Sequence, residues 1–249
     1  MDCQRLTVHA LNFNHRRGPV FYASLPCRSC AAETLNGCET DGAGGKRVLV
    51  STLWEHFVAM ESPLRKRCQS PDRADFPIRV VSGLLGRPHV MLGEYQGPAI
   101  SFSKGGGKIW AALSGDESDI GIDVAGTDEF NKEYPFQRVF HPQEIEHAMG
   151  LAGGYLEKAS ALLWSIKEAV VKALGCAFHL VDPLQIIVYP SAADVVEGGC
   201  GHTFPVGLSG KALERFPIVA GRSLWVHSIP HRKMWLSIAL LKQRPSGHA

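Results

Sequence analysis

The sequence points to an α+β protein whose strands run mostly antiparallel. Between residues 99 and 124 three strand-like stretches follow one another with short glycine- and serine-rich turns between them. From residue 156 to 174 apolar residues return at three- and four-residue steps, the period of a helix with one buried face. Near the end, two apolar runs flank Pro230-His231-Arg232, which reads as a hairpin.

With 249 residues, 45% of them hydrophobic, the chain can bury a sizeable core as one large domain or two small ones. A net charge of +2 gives no global basic field of the kind that binds nucleic acid, and no acidic tail is present. Local basic clusters therefore matter more. The densest, Leu64-Arg65-Lys66-Arg67, is either a solvated loop or helix end, or a phosphate contact. No apolar run approaches the roughly 18 residues needed to span a bilayer, so no membrane role is expected. Residues 1–10 lack the charged start and apolar centre of a secretory signal, so a cytoplasmic protein is expected. Seven cysteines fit that expectation, because an odd count cannot all pair within one chain. Cys27-Arg28-Ser29-Cys30 with Cys38 resembles half of a zinc site, without a second half at finger or ribbon spacing. His9 and His15 upstream leave a site open; free thiols in a loop are the plainer reading.

Taken in chain order, the first 45 residues have no clear period, and Gly37 and Asp41-Gly42-Ala43-Gly44-Gly45 punctuate them as a loop or mobile segment. Residues 47–60 read as a helix, through Val48, Leu53, Phe57 and Val58. Residues 61–75 are polar with two prolines, a connection. Ile78-Arg79-Val80-Val81 reads as a strand and Gly86-Arg87-Pro88 as a turn. Ala99-Ile100-Ser101-Phe102-Ser103 alternates as a half-buried strand does, and Gly105-Gly106-Gly107 breaks it. Residues 108–113 and 119–124 follow as two more strands. Pro142 suits the first turn of a helix, with Glu144 and Glu146 near its positive end. The helix over 156–174 ends at Gly175, and residues 184–188 form a further strand. Trp225 and Trp235, in the terminal hairpin, read as packing residues.

Two stretches carry the chemistry. In Gly121-Ile122-Asp123-Val124, alternation sends Ile120, Ile122 and Val124 to one face and Gly121 and Asp123 to the other. Asp123 then either faces a cleft or simply ends its strand before Gly126. In Trp164-Ser165-Ile166-Lys167-Glu168-Ala169-Val170-Val171-Lys172, Glu168 and Lys172 lie four apart and share a face, with Ser165 one turn earlier and Lys167 flanking. On its own that is an ordinary surface pair, of about 0.2–0.5 kcal/mol. Together, the two stretches suggest a carboxylate pair for a divalent metal with two lysines beside it, as handling a pyrophosphate requires.

Gly-Ile-Asp followed by Trp-Ser-x-Lys-Glu-Ala-x-x-Lys resembles the 4′-phosphopantetheinyl transferases, and length and order resemble the Sfp type, whose single chain holds two similar halves. Gly86-Arg87-Pro88, Ile100-Ser101-Phe102-Ser103-Lys104-Gly105-Gly106 and Phe140-His141-Pro142-Gln143-Glu144 resemble further family segments in the right order. The likeness covers residues 86–188 well and the first 75 poorly. It implies a pseudo-dimer: halves 1–113 and 114–249, each an antiparallel sheet packed on a long helix, with the active site in the cleft between them. It implies transfer of 4′-phosphopantetheine from coenzyme A to a serine of an apo acyl or peptidyl carrier protein, as a holo-acyl-carrier-protein synthase does, by a monomer. It implies Mg²⁺ on Asp123 and Glu168, Glu168 as base with Lys172 at the catalytic centre, and Glu144 supporting Lys167. Arg87, Ser103, Lys104, Lys167 and Lys172 are then the coenzyme A contacts.

Two departures stand out. Ala125 occupies a position where the family often has a third metal-binding Glu, and Lys104 stands where it has His. They motivate a rival expectation: a relative that binds coenzyme A or a carrier without transferring anything.

Overall fold

Strand register, rather than helix packing, organises this chain. The computed structural model describes residues 6–13, 18–27, 42–60, 77–130, 134–192, 196–197, 200–220 and 224–242. The basic cluster at 64–67, Cys30, Cys38 and His15 lie outside these residues.

One sheet contains β1 (His9–Phe13), β2 (Val20–Pro26), β3 (Ile78–Ser82), β4 (Pro88–Leu92), β5 (Tyr95–Gly105), β6 (Lys108–Ser114) and β9 (Val196–Glu197), in the order β3-β4-β5-β6-β2-β1-β9. The second contains β7 (Asp119–Gly126), β8 (Ile186–Val188), β10 (His202–Leu208), β11 (Leu224–His231) and β12 (Met234–Leu241), in the order β7-β12-β11-β10-β8. Every pairing among the described strands is antiparallel. The helices are α1 (Gly42–Ala59), α2 (Pro142–Leu151), α3 (Leu156–Ala173) and the short α4 (Gly210–Arg215). The protein is therefore mixed α+β with two antiparallel sheets.

The period-two pattern of the central strands explains the layering. Ile109, Ala111 and Leu113 of β6 pack with Leu49, Leu53 and Phe57 of α1. The alternate β6 residues, Trp110 and Ala112, face the other way, onto Ile122, Val124, Leu236 and Ile238 of the second sheet. That sheet's remaining face, including Trp235 and Ala239, packs on Ala159, Leu163, Ile166 and Val170 of α3. The order is helix, sheet, sheet, helix. Each large apolar side chain taken from water here contributes roughly 1.5–3 kcal/mol. No helix among the described residues is long and apolar enough to cross a membrane.

Several expectations need correction. The segment read as a loop contains β1 and β2. Four residues of β2, Val20 to Ala23, are buried in succession because the strand lies between β1 and β6 with both faces covered, so no alternation was there to read. Strands β4 and β10 and helix α4 were also missed. The terminal turn falls at Arg232 and Lys233, with Arg232 at φ 56°, rather than at Pro230. Pro230 is tolerated inside β11 because the pairing to β10 stops at Ser228, so its missing N–H leaves no bond unmade on that side.

Candidate active site

Small residues bring the site together. A Cβ on Gly121 would lie 1.9 Å from the Ala169 carbonyl oxygen and 2.6 Å from the Ala173 nitrogen. Glycine at that point therefore lets α3 rest on the backbone of β7. On the other side, Ser101, Ser103 and Gly105, alternate residues of β5, meet β7. The Ile122 N–H donates to Ser101 Oγ at 3.1 Å, and Ser103 Oγ donates to Asp123 Oδ1 at 2.8 Å. A Cβ on Gly105 would lie 2.9 Å from the Val124 side chain.

Asp123, only 7% exposed, is thus held between β5 and α3. Lys172 reaches it from α3: its ammonium donates to Asp123 Oδ1 at 2.7 Å and to the Ile122 carbonyl at 3.1 Å. Glu168 lies one turn earlier on the same face. Burial raises its pKa first, the Asp123 charge and then Glu129 push the same way, and Lys172 opposes them. Glu129 is a residue that the sequence did not single out. The residue is exposed, yet partial desolvation of its carboxyl raises its pKa, the Gly126 N–H bonded to Oε1 at 2.7 Å works against this, and Asp123 and Asp128 raise it further. The Tyr134 hydroxyl is raised by burial and by Glu129 and Glu168. Three carboxylates therefore feel one another across the end of β7, and Lys172 neutralises part of their charge.

Beside Lys172 opens a cleft of about 430 Å³ whose lining includes Lys46, Ser82, Arg87, Ser101 and Cys176. Arg87 is braced by an ion pair to Asp119 at the start of β7. Its side chain also lies against Gly175, where a Cβ would come 2.9 Å from Arg87 Cδ. Lys46 enters from α1 with its ammonium 5.3 Å from the Phe102 ring centre. The sequence offered no signal for Lys46, because α1 brings it to the cleft only through tertiary packing. Cys176 is a free thiol, and burial pushes its pKa up to about 11, so it stays protonated. Cys200 is a free thiol as well.

Three expected coenzyme A contacts lie outside this cleft: Lys167, Lys104 and Ser103, whose hydroxyl is given to Asp123. Lys167 is fully buried, and its ammonium donates to the Val139 carbonyl at 3.0 Å, Glu144 Oε2 at 2.8 Å and the Pro183 carbonyl at 2.9 Å. Those bonds use its three N–H groups, so none is left for a phosphate. Lys167 ties α3 to α2 and to the segment before β8; the pair with Glu144 is present, and Glu144 also accepts from the His141 and Val188 N–H groups. Lys104 is exposed on the face of β5 shared by Ile100 and Phe102, opposite to Ser103 and Asp123. Ser165 is likewise turned inward, 2.7 Å from Ser237 Oγ, which is 2.8 Å from Ser228 Oγ.

The donor chemistry suits a hard divalent cation in two respects, since the acids offer only oxygen and repel one another, while Lys172 already holds one Asp123 oxygen. Among the described residues no three His, Cys, Asp or Glu side chains converge closely enough to hold a metal by themselves. Two carboxylates with waters fit an ion such as Mg²⁺, which commonly keeps several waters. Ala125, 1% exposed, offers no ligand.

Residues 119–206 match the model of the 4′-phosphopantetheinyl transferase superfamily, a stretch that takes in Asp123, Glu129, Glu144, Lys167, Glu168 and Lys172. No curated protein matches the chain. Among solved structures, it is similar to an ACPS–CoA complex from Chronobacterium ammoniagenes, with 19% identity, a TM-score of 0.39, and coverage of 52% of this chain and 100% of that one. It is also similar to an apo-ACPS structure of that organism, with 21% identity, a TM-score of 0.39, and coverage of 51% and 98%.

Proposed function

We propose that this chain transfers 4′-phosphopantetheine from coenzyme A to a serine hydroxyl of an apo acyl or peptidyl carrier protein, as a monomeric enzyme of the Sfp type. The observation that carries this reading is the junction at Lys172. That one side chain touches the carboxylate Asp123 and also lines the cleft that holds Arg87 and Lys46. A pyrophosphate lying there meets fixed cations on one side and acids on the other.

The chemistry is a displacement at phosphorus. The serine oxygen forms a bond to the phosphorus that bears pantetheine. The bond from that phosphorus to the bridging pyrophosphate oxygen breaks, and adenosine 3′,5′-bisphosphate leaves. The serine proton passes to Glu168, whose burial beside other acids makes it a stronger base than an exposed glutamate. Arg87 and Lys46 hold coenzyme A phosphates, and Ser103 orients Asp123. Lys172 supplies positive charge where the leaving oxygens gather it. Asp123 and Glu168 would hold Mg²⁺, with Glu129 electrostatically coupled to both, and the ion would supply charge neutralisation on the pyrophosphate.

We read the pseudo-dimer division at 1–113 and 114–249 onto the two sheets and onto the helices α1 and α3, with β9 of the second half crossing over to pair with β1. Incubation of the protein with coenzyme A, Mg²⁺ and a panel of apo carriers tests the function: mass spectrometry should show one carrier gaining a single phosphopantetheine group. Coenzyme A binding that is indifferent to Mg²⁺, with no carrier modified, would favour the non-catalytic relative.

A further inference from the structure

Two carboxylates on one face of β7 each hold a cation of the same cleft. Alternation puts Asp119, Gly121, Asp123 and Ala125 on the face of β7 that meets α3. Asp123 holds Lys172, and Asp119 holds Arg87. The two acids are four residues apart, roughly 13 Å along the strand. Between them lies Gly121, where the α3 backbone rests. Lys172 and Arg87 both line the cleft of about 430 Å³, and none of the described residues lining it is acidic. Each acid therefore stands behind its cation.

Arg87 is fixed at both ends. At its backbone, the Gly83 N–H donates to the Arg87 carbonyl at 2.7 Å, across a turn in which Leu85 and Gly86 take φ of 56° and 77°. At its tip, the guanidinium meets Asp119, and Nη1 lies 3.0 Å from where a Cβ on Gly175 would be. The side chains of Arg87 and Asp119 are 22% and 20% exposed. A pair so open to water contributes little to stability. Its effect is to order a long side chain before a ligand arrives, so that binding does not have to.

We propose that Asp119 is a positioning residue of the coenzyme A site. It holds the Arg87 guanidinium ready for a coenzyme A phosphate, in the way that Asp123 holds the Lys172 ammonium. The proposal rests on the reading of this cleft as the coenzyme A site. Coenzyme A carries its charge in two places, the pyrophosphate and the 3′-phosphate, so two separately anchored cations suit it. The sign of the effect sets positioning apart from charge alone. If only charge counts, removing a carboxylate near an anion site strengthens anion binding. If the carboxylate holds the arginine in place, removing it weakens binding.

The test is calorimetric titration of the full chain with adenosine 3′,5′-bisphosphate, the product that keeps the 3′-phosphate of coenzyme A. Asp119→Asn, close in shape and partly exposed, should weaken binding by about tenfold. The KM for coenzyme A should rise by about as much while kcat stays within about twofold, because Arg87 acts on binding and not on the proton transfer. In an Arg87→Ala background the same exchange should change nothing further, since Asp119 then has no arginine to hold. Asp119→Asn that binds the product as tightly as the parent, or more tightly, would overturn the proposal. So would a further tenfold loss on top of Arg87→Ala, which marks a structural role. An Arg87→Ala protein that binds as the parent does would overturn the reading of the cleft itself, and the proposal with it.

Discussion

Lys172 and Asp123 meet at 2.7 Å across the contact between α3 and β7, and this ion pair joins the acidic cluster to the cationic cleft. The Asp123 side chain is 9% exposed and that of Lys172 28%, so the pair is partly screened by solvent on the lysine side. Asp123→Asn keeps the shape and removes the charge. Phosphopantetheine transfer should fall by about 10²–10³-fold, as when one charge-stabilising group is removed from a catalytic site. The urea midpoint should change little, because Ser103 and Lys172 can still donate to the amide oxygen. Transfer at the parent rate would show that this pair is not the catalytic centre.

Glu129 should matter to the metal but not to the fold. Its side chain is exposed and touches the Gly126 N–H, so Glu129→Gln keeps that bond. The Mg²⁺ concentration giving half-maximal transfer should rise several-fold while the melting temperature holds. Chelation of Mg²⁺ should abolish transfer in parent and variant alike, and an assay over a Mg²⁺ series measures both effects.

Lys167→Met should act on stability first. Removing the ammonium leaves the Glu144 carboxylate buried without its cation, which costs about 3–5 kcal/mol for pairs of this kind. Chemical denaturation should show a loss of that order. Adding Glu144→Leu should restore part of it, since the orphaned charge is then gone. A fully stable Lys167→Met protein that has lost transfer would return Lys167 to the coenzyme A contacts.

Gly121→Ala should destabilise the chain by about 3 kcal/mol or more, because the added methyl meets helix backbone rather than a movable side chain. Thermal melting measures it. The neighbouring exchange Ile120→Val should cost only about 0.5–1.5 kcal/mol.

His227 should give the protein an acid-sensitive stability. It is 1% exposed, its Nδ1 is 2.8 Å from Thr203 Oγ1, and burial lowers its pKa from 6.5 to about 4. The unfolded chain takes up this proton near pH 6.5, but the folded chain does so only near pH 4. Stability should therefore fall as pH drops through that window, by on the order of 3 kcal/mol, and this contribution should level off below it. Denaturation midpoints at stepped pH, compared with His227→Asn, isolate the slope.

The local rules that could be read from the chain were those of period and spacing. Alternation alone put Asp123 on the face opposite to Ile122, and the four-residue step alone put Glu168 and Lys172 together. Gly175 marked the end of α3, where its φ of +73° now stands. Those rules could not say what each face would meet. Lys167 and Glu168 are adjacent, yet one is closed in by Val139, Glu144 and Pro183 and the other lies among carboxylates, because α2 covers one side of α3 and the end of β7 meets the other. Glu129 joins Asp123 only because the chain turns back at Gly126, and Lys46 joins Arg87 only because α1, packed on β2 and β6, carries it toward Phe102 at the cleft. Strand β2 was invisible because two covered faces erase alternation. Short-range periodicity thus determined which residues share a face. Packing between elements distant in sequence decided which faces enclose a site, since burial and partnership depend on neighbours that no local pattern encodes.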